Sequence, residues 1–474
     1  MNSDPAKTAA DRWPTQIKFI VGNEACERFS YYGMRSILAG YITGAVLKGG
    51  LGQDADTSTE IIHTFVFANY FMPLLGAWLS DKIIGRYRTI LWVSLFYCAG
   101  HGVLACSDFA GGVHGRMICL FIGLALIAFG SGGIKPCVSA FMGDQFKPEQ
   151  SHLLQKAYGA FYWAINFGSF FSFLVIPWVK GRHGYSLAFG VPGILMAVAT
   201  FIFWLGTRHY VRVPPNRATR TAGFFKVFLH ALFRRREPGR GFWDAARDRF
   251  SANEISAAQS VPPILCIFAL VPVFWSLFDQ TNSTWVLQGG KMIPAGILGL
   301  TIGAEEMQSM NPLIVMGLVP LFTLGIYPRI GRFAAPLKRM ALGMFLAAGS
   351  YLAVAALQTR IENGAHLSVL WQTGPYLILT AAEVLISTTG LEFAYREAAP
   401  ELKSTIMSFW LLTVAFGNLL VAFITRLFAN DTGTTSVSTN RFLLYAGLTF
   451  VVAILFSLIA AFYKYRDGAA ARGK

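Results

Sequence analysis

Twelve long apolar runs are the feature that most restricts how this chain can fold. They lie roughly at residues 17–47, 61–81, 88–107, 117–141, 153–179, 186–206, 261–285, 309–328, 340–357, 374–395, 404–428 and 441–463. As a helix, each run is long enough to cross about 30 Å of hydrocarbon. Because 54% of the residues are hydrophobic and 14% are charged, a water-soluble core could not hide this much apolar surface. The sequence therefore predicts an all-α polytopic membrane protein with twelve transmembrane helices.

The Lys and Arg residues are concentrated in the connections that follow even-numbered segments, and in both chain ends, as with Lys7 and Lys474. Such connections usually face the cytoplasm, so both termini are predicted to be cytoplasmic. This topology also explains the net charge of +15. Since the basic residues are spread between apolar runs, no nucleic-acid partner is predicted.

The six cysteines indicate neither a disulfide framework nor a metal site. Almost all of them lie inside apolar runs, and no C-x-x-C pair occurs, so they are interpreted as small buried side chains. No cofactor is predicted. The residues before the first run are polar, and no cleavable signal peptide is expected.

The longest connection, residues 207–260, separates six segments from six. It holds eleven Lys and Arg against four acids, and its stretches TAGFFKVFLHALFRRR and GFWDAARDRF are amphipathic and basic. They are expected to lie along the inner leaflet of the bilayer, with a solvated tether as the alternative. The predicted organisation is a tail (1–16), a six-helix bundle (17–206), a linker (207–260), a second bundle (261–464) and a tail (465–474). Transporters with two related bundles bind substrate near the midplane, where the bundles meet.

A polar stripe runs through the first apolar segment. Written as a helix, its members share one face: Glu24, Glu27, Arg28, Tyr31 and Arg35. Each charge at the centre of a membrane helix costs roughly 2.5 to 3.5 kcal/mol, so several on one helix indicate a functional site. An ion-pair patch that only holds helices together is the alternative interpretation.

Further polar residues of the first half are candidates for the same site. His63 precedes Tyr70 by two helical turns, and a proton-handling role is predicted because imidazole titrates closest to neutral pH. A hydrogen-bonded packing role for His63 is the alternative. Lys135 follows a Gly-rich run, and Glu24 or Glu27 is its expected partner. Asn166 lies in an apolar setting where its amide must find a partner.

The second half has fewer isolated polar residues. Asp279 is the only acid of the seventh segment and follows Trp275 by one turn. Glu383 is the acid of the tenth segment, with Ser387 one turn later on the same face. Asn311 opens the eighth segment. Trp410 and Asn418 lie in the eleventh. Helix packing is the more common role of such polar residues, whereas Trp410 could pack or contact a ligand.

These residues resemble the proton-coupled oligopeptide transporter (POT) family of the major facilitator superfamily. The matching motifs are E-x-x-E-R-F-x-Y-Y-G at Glu24–Gly33, GIKP…GDQF at Gly133–Phe146, FYWAINFGS at Phe161–Ser169, FWSLFDQ at Phe274–Gln280 and GLEFAY at Gly390–Tyr395. His63 with its HTFV context and Asp279 are similar to the animal intestinal and renal members. The connection at 358–373 lacks the large extracellular domain of those animal proteins, which points to a bacterial inner membrane.

The resemblance implies a proton-coupled symporter that imports di- and tripeptides. Arg28 and Lys135 would hold the peptide carboxylate, and Glu383 would hold its amino terminus. The pocket would be lined by Tyr31, Tyr32, Tyr70, Asn166, Trp275, Asn311, Ser387 and Trp410. The residues themselves support this division, because basic groups lie in the first half and Glu383 lies in the second.

For proton coupling, our hypothesis is that Asp279 pairs with Arg35 near the extracellular side. Protonation of Asp279 through His63 would weaken that pair, and Glu24, Glu27 and Lys135 would respond on the inner side. Some family relatives carry nitrate or other small organic anions, which is the alternative function. A multidrug exporter shares the layout, and a membrane-embedded enzyme is not indicated because no catalytic motif occurs. The sequence leaves the oligomeric state open.

Overall fold

The structure is a computed structural model that describes residues 13–215, 223–234, 241–297, 299–330, 335–399, 402–429, 435–463 and 465. Parts of four predicted regions lie outside the described residues. These parts are 1–12 of the first tail, 216–222 and 235–240 of the linker, 298, 331–334, 400–401, 430–434 and 464 of the second bundle, and 466–474 of the last tail.

The first half of the chain is built from helices. They are α1 (Ile17–Thr43), α2 (Ala55–Phe71), α3 (Pro73–Leu79), α4 (Arg86–Ala105), α5 (Gly112–Gly143) and α6 (Ser151–Leu205). A π turn at Ser80–Ile84 continues α3, and short 3-10 turns lie at Val46–Lys48, Ser107–Phe109, Pro148–Gln150 and Gly206–Arg208. The long helix α6 is broken at Gly184, whose φ of 81° suits glycine alone. It therefore contains two of the predicted segments.

The linker and the second half are also mainly helical. Their helices are α7 (Phe224–Phe233), α8 (Ala252–Gln259), α9 (Val261–Phe268), α10 (Val271–Phe278), α11 (Thr284–Gly289), α12 (Met310–Pro320), α13 (Tyr327–Ile330), α14 (Pro336–Glu362), α15 (Thr373–Glu397), α16 (Lys403–Leu427) and α17 (Thr439–Phe462). Short 3-10 turns lie at Phe242–Ala246, Asp279–Asn282, Glu306–Ser309 and Val369–Gln372, and a π turn lies at Leu321–Ile326. The linker stretch GFWDAARDRF thus forms a short 3-10 turn, whereas TAGFFKVFLHALFRRR contains α7.

A small β-hairpin lies between α11 and α12. Strand β1 (Ala295–Ile297) pairs antiparallel with β2 (Leu300–Ile302), with Ala295 opposite Ile302 and Ile297 opposite Leu300. It belongs to a connection that was predicted to face away from the cytoplasm.

The long helices match the predicted membrane segments. Within the described residues, eight helices are long and apolar enough to cross a membrane, or nine if the bent pair Ala252–Phe268 and Val271–Gly289 is one span. The longest of the eight contains both predicted segments of α6, and α1 and α4 coincide with two further predicted segments. The helices are therefore consistent with the twelve predicted segments of an integral, multi-pass membrane protein.

The buried apolar side chains form two clusters. One runs from Ile17 to Tyr210 and includes only Val286 from later in the chain. The other runs from Phe224 to Phe456. Each half thus has its own core, and the linker helix α7 packs with the second. The numerical boundaries of the two bundles stay a prediction.

Candidate functional site

A cavity of about 170 Å³ lies between the two halves. The first half contributes Tyr32, Arg35, Tyr70, Tyr162, Ile165, Asn166, Ser169 and Phe173, and the second contributes Trp275, Phe278, Asp279, Thr281, Asn282, Gln308, Asn311, Pro312, Glu383 and Ser387. The volume is below the roughly 300 to 1,000 Å³ that is typical of sites for drug-sized ligands. In this conformation the cavity therefore suits a small ligand, and a larger one requires the halves to separate.

Glu383 is one of two acids on the second-half wall of the cavity, the other being Asp279. Its Oε2 accepts a hydrogen bond of 2.7 Å from the Asn311 amide, which also donates to Thr380 over 3.2 Å. Among the described residues, no basic side chain lies within 4 Å of the Glu383 carboxylate. Because α12 supplies the amide and α15 the acid, packing of these two helices fixes the carboxylate. Glu383 is thus oriented by a neutral partner and remains able to bind a cationic group.

Lys135 lies against the first-half wall. Its Nζ is 3.6 Å from the centre of the Tyr70 ring, which lines the cavity. The predicted ion pair with Glu24 or Glu27 is not present: among the described residues, no carboxylate lies within 4 Å of Lys135. The reason is that Arg28 occupies both acids, while the face of an aromatic ring attracts the ammonium group.

The polar stripe on α1 is buried as a cluster. The Arg28 Nε lies 2.9 Å from a Glu24 oxygen and 2.6 Å from a Glu27 oxygen. The Glu27 oxygens and the Arg28 Nε nevertheless make no well-aligned hydrogen bond. A buried charge cluster with such geometry contributes little to stability, so this one is better explained by a function. Arg28 does not line the cavity in this conformation.

A polar chain joins the two halves above the cavity. Arg35 donates to Asp279 over 2.8 Å, so the predicted pair is in contact. The Asn418 amide donates to the other Asp279 oxygen over 2.7 Å, and its Oδ1 lies 2.7 Å from His63 Nδ1. The second His63 nitrogen lies 2.8 Å from the Ser283 hydroxyl. His63 and Asp279 are therefore connected through one amide side chain.

The orientation of the Asn418 amide follows from the chemistry of its two partners. An ionised Asp279 only accepts hydrogen bonds, so the amide nitrogen of Asn418 must face it and the amide oxygen must face His63. His63 then donates from Nδ1. Sequence analysis assigned Asn418 to helix packing, because one amide in an apolar segment does not reveal its partner. The sequence did contain one signal for this contact, because Asn418 is a polar residue of α16 at the depth of Asp279.

Further contacts between the halves lie at the outer end, by which we mean the end predicted to face away from the cytoplasm. Lys180 pairs with Glu305 at 2.5 Å, and Arg426 lies 3.9 Å from Glu60. In contrast, the ion pairs at the opposite end, such as Arg86 with Asp144 and Arg339 with Glu392, each stay within one half. Within the described residues, ion pairs between the halves thus occur at the outer end only.

Two predicted lining residues do not line the cavity. Tyr31 is 1% exposed and accepts a hydrogen bond of 3.1 Å from Asn69 inside the first half. Trp410 is 3% exposed, with its ring centre 5.3 Å from Phe268 and 6.4 Å from Trp275. Both were predicted to line the pocket by the family resemblance, and Tyr31 also by its place on the α1 stripe. Neighbouring helices cover the side chains of both residues. The Trp410 ring therefore packs behind Trp275, which lines the cavity.

Comparison with known proteins agrees with this geometry. The family model described as "POT family" matches residues 87–440, about three quarters of the chain. The chain belongs to the POT family. Two solved POT structures superpose closely: an auto-inhibited POT family peptide transporter (37% identity, TM-score 0.87, 97% of this chain and 100% of that one) and the POT family transporter PepTSo (38%, 0.87, 95% and 98%). This POT protein therefore has the predicted major facilitator fold.

Several curated relatives of this POT protein are animal proteins. Peptide transporter family 1 of Drosophila melanogaster is 39% identical over 370 residues, covering 75% of this chain and 49% of that protein. Solute carrier family 15 member 2 of Rattus norvegicus is 38% identical over 381 residues, covering 76% and 51%. The chain thus spans about half the length of the curated relatives it matches.

Proposed function

We propose that this POT protein is a proton-coupled symporter that imports di- and tripeptides by alternating access of the cavity between its two halves. The observation that carries the proposal is Glu383. It is a carboxylate held by the neutral Asn311 on one wall, and Lys135 lies behind Tyr70 on the facing half. A peptide is a zwitterion, so opposite charges on opposite walls match its two ends. Binding would then connect the halves and favour their closure.

The two ends of the peptide would be bound differently. The amino terminus would donate to Glu383, with charge-assisted hydrogen bonds worth roughly 1.5 to 3 kcal/mol. The carboxylate would attract Lys135 from the Tyr70 ring, because a negative charge is a stronger partner for an ammonium group than an aromatic face. Arg28 would add positive charge from behind, while Glu24 and Glu27 keep it in place.

Coupling would depend on the chain from His63 to Arg35. A proton on Asp279 removes the charge that holds Arg35, so the contact between halves weakens and the outer end opens. His63 lies one amide away and can bind a proton from the outer side. A membrane potential of 100 mV supplies roughly 2.3 kcal/mol for each proton that enters. This free energy can drive the return to the closed state.

A vesicle experiment tests the function. Purified protein is reconstituted, and uptake of labelled dialanine is measured with and without an inward proton gradient. We expect accumulation that a protonophore abolishes, with no competition by nitrate. In an anion carrier, nitrate would compete. Glu383 argues against an anion carrier, because an acid on the cavity wall repels anions. Gradient-independent equilibration of dialanine, or efflux only, would reject symport.

We also propose that the protein lies in a bacterial inner membrane with both termini in the cytoplasm. The distribution of Lys and Arg supports this orientation, as does the position of the basic linker beside the second half. A reporter active only in the periplasm, fused after Lys474, should stay inactive, whereas one active in the cytoplasm should work.

A further inference from the structure

The linker helix α7 has an apolar face that the rest of the protein does not cover. Phe224, Val227 and Ala231 point inward and are buried. Four other large side chains are exposed: Phe225 (57%), Leu229 (45%), Leu232 (47%) and Phe233 (81%). At 3.6 residues per turn, these four form one continuous stripe on the outer side of the helix.

A row of nitrogen-bearing side chains lies beside this stripe. Lys226, His230 and Arg234 follow one another at intervals of four residues, so they share the next face of α7. A groove of about 580 Å³ lies between α7 and the residues that follow the linker's 3-10 turn at Phe242–Ala246. It is lined by Lys226, Leu229, His230, Phe233, Arg234, Arg249 and Phe250. The groove is thus lined by both basic and apolar side chains.

Two of the basic groups in the groove are paired within the protein. Asp248 lies 2.9 Å from His230 and 3.1 Å from Arg234. Among the described residues, no carboxylate lies within 4 Å of Lys226 or Arg249. These two positive groups are therefore available to an anionic ligand.

The position of α7 restricts what that ligand can be. Its rings Phe224 and Phe225 have centres 6.2 and 5.7 Å from that of Phe409, near the first residues of α16. The first turns of α16 lie at the end predicted to be cytoplasmic, so α7 lies at the level of the inner membrane surface. An exposed apolar stripe with a basic row beside it fits that boundary, where the apolar side chains enter the lipid and the cations meet phosphates.

We propose that this groove is a binding site for the headgroup of an anionic phospholipid of the inner leaflet. Lys226 and Arg249 bind the phosphate, and an acyl chain follows Leu229 and Phe233. The site is separate from the peptide cavity and belongs to the linker that joins the halves. Its occupant has both a negative charge and an apolar tail, because the groove offers basic side chains to the charge and apolar side chains to the tail.

Native mass spectrometry of the purified full-length protein tests this site. Phosphatidylglycerol is titrated into wild type, a Lys226→Gln/Arg249→Gln double variant and an Arg247→Gln control. Arg247 is 74% exposed in the same segment, pairs with Asp244 and does not line the groove. Each basic residue near a membrane surface is worth about fivefold in affinity, so the double variant should lose about thirtyfold. The control should bind as wild type does.

Two further arms distinguish a lipid from a free anion. A Leu229→Ser/Phe233→Ser variant should also bind phosphatidylglycerol more weakly, while phosphatidylcholine and inorganic phosphate should bind poorly to wild type. The proposal is overturned if the double variant binds like the control, or if inorganic phosphate competes as well as the lipid. All substituted side chains are exposed, and an unchanged melting temperature checks that the variants are folded.

Discussion

Arg35 of α1 and Asp279, at the end of α10, meet across the interface of the two halves, with a nitrogen-to-oxygen distance of 2.8 Å. Both side chains are at most 5% exposed. Asn418 holds the other oxygen of Asp279 and places His63 one amide away. A charge pair, an amide and an imidazole from four separate helical elements thus form one connected group at the closed outer end. In the proposed mechanism, a proton on either Asp279 or His63 would act on the same interface.

Asp279→Asn keeps the shape of the side chain but removes its acid. We expect gradient-driven accumulation of dialanine to fall at least about tenfold, because Arg35 loses its charged partner and no acid remains to titrate. Breaking a buried pair costs roughly 3 to 5 kcal/mol, so the outer end should open more often. Uptake with a proton gradient is compared with peptide counterflow in the same vesicles. Counterflow should persist, and normal gradient-driven accumulation would contradict the scheme.

Asn418→Leu should disturb coupling without touching the cavity. It leaves the His63 Nδ1 and one Asp279 oxygen without a partner, which costs roughly 1 to 3 kcal/mol for each buried group. We expect the pH dependence of uptake to shift while the KM for dialanine changes little. Thr413→Val on the same helix is the control, because within the described residues the Thr413 hydroxyl bonds only to the Trp410 carbonyl of its own helix. Identical pH profiles for both variants would show that Asn418 only packs.

Glu383→Gln should weaken binding of the free amino terminus. Loss of a charge-assisted hydrogen bond of roughly 1.5 to 3 kcal/mol corresponds to a KM about ten to a hundred times higher for dialanine. N-acetyl-dialanine has no ammonium group, so its weak competition should stay the same. Asn311→Ala, which frees the carboxylate to rotate, should have a smaller effect in the same direction. Equal losses for both ligands would place the amino terminus elsewhere.

The pair of Lys180 and Glu305 should act as a second outer contact between the halves. Reversing either charge alone should lower the uptake rate severalfold, because the Glu305 side chain is only 8% exposed and tolerates no like charge nearby. The double reversal Lys180→Glu/Glu305→Lys should restore part of the rate. As a control, reversing Arg116 and Asp108, a pair 3.7 Å apart within one half, should have little effect. Absence of rescue by the double reversal would mean that the two sites act independently.

The sequence anticipated several parts of this site because they follow from one helix or from charge alone. The stripe on α1 is set by helical periodicity, and Glu383 is conspicuous as an acid near the middle of an apolar segment. The contact of Asp279 with Arg35 was expected because a buried charge needs an opposite one, and few candidates occur at that depth. Roles in binding and coupling stay predictions until the variants above are measured.

Other parts could not be read from the sequence. Lys135 was expected beside Glu24 or Glu27, yet it lies on the Tyr70 ring while Arg28 takes both acids. Charge alone does not determine whether Lys135 or Arg28 pairs with the two acids. Likewise, the helix face of Tyr31 or Trp410 does not say whether a neighbouring helix or an open cavity lies in front of it.

By itself, the sequence determined that this protein lies in a membrane, and it indicated which charges must be buried. These properties depend on hydrophobic length and on the cost of charge in lipid, and both are summed along the chain. Only the tertiary structure decided that Asn418 joins His63 to Asp279 and that Lys180 meets Glu305. Such contacts depend on the angles and depths at which helices cross, which many distant side chains set together. Pairing at distances below 3 Å is therefore a property of the packed molecule.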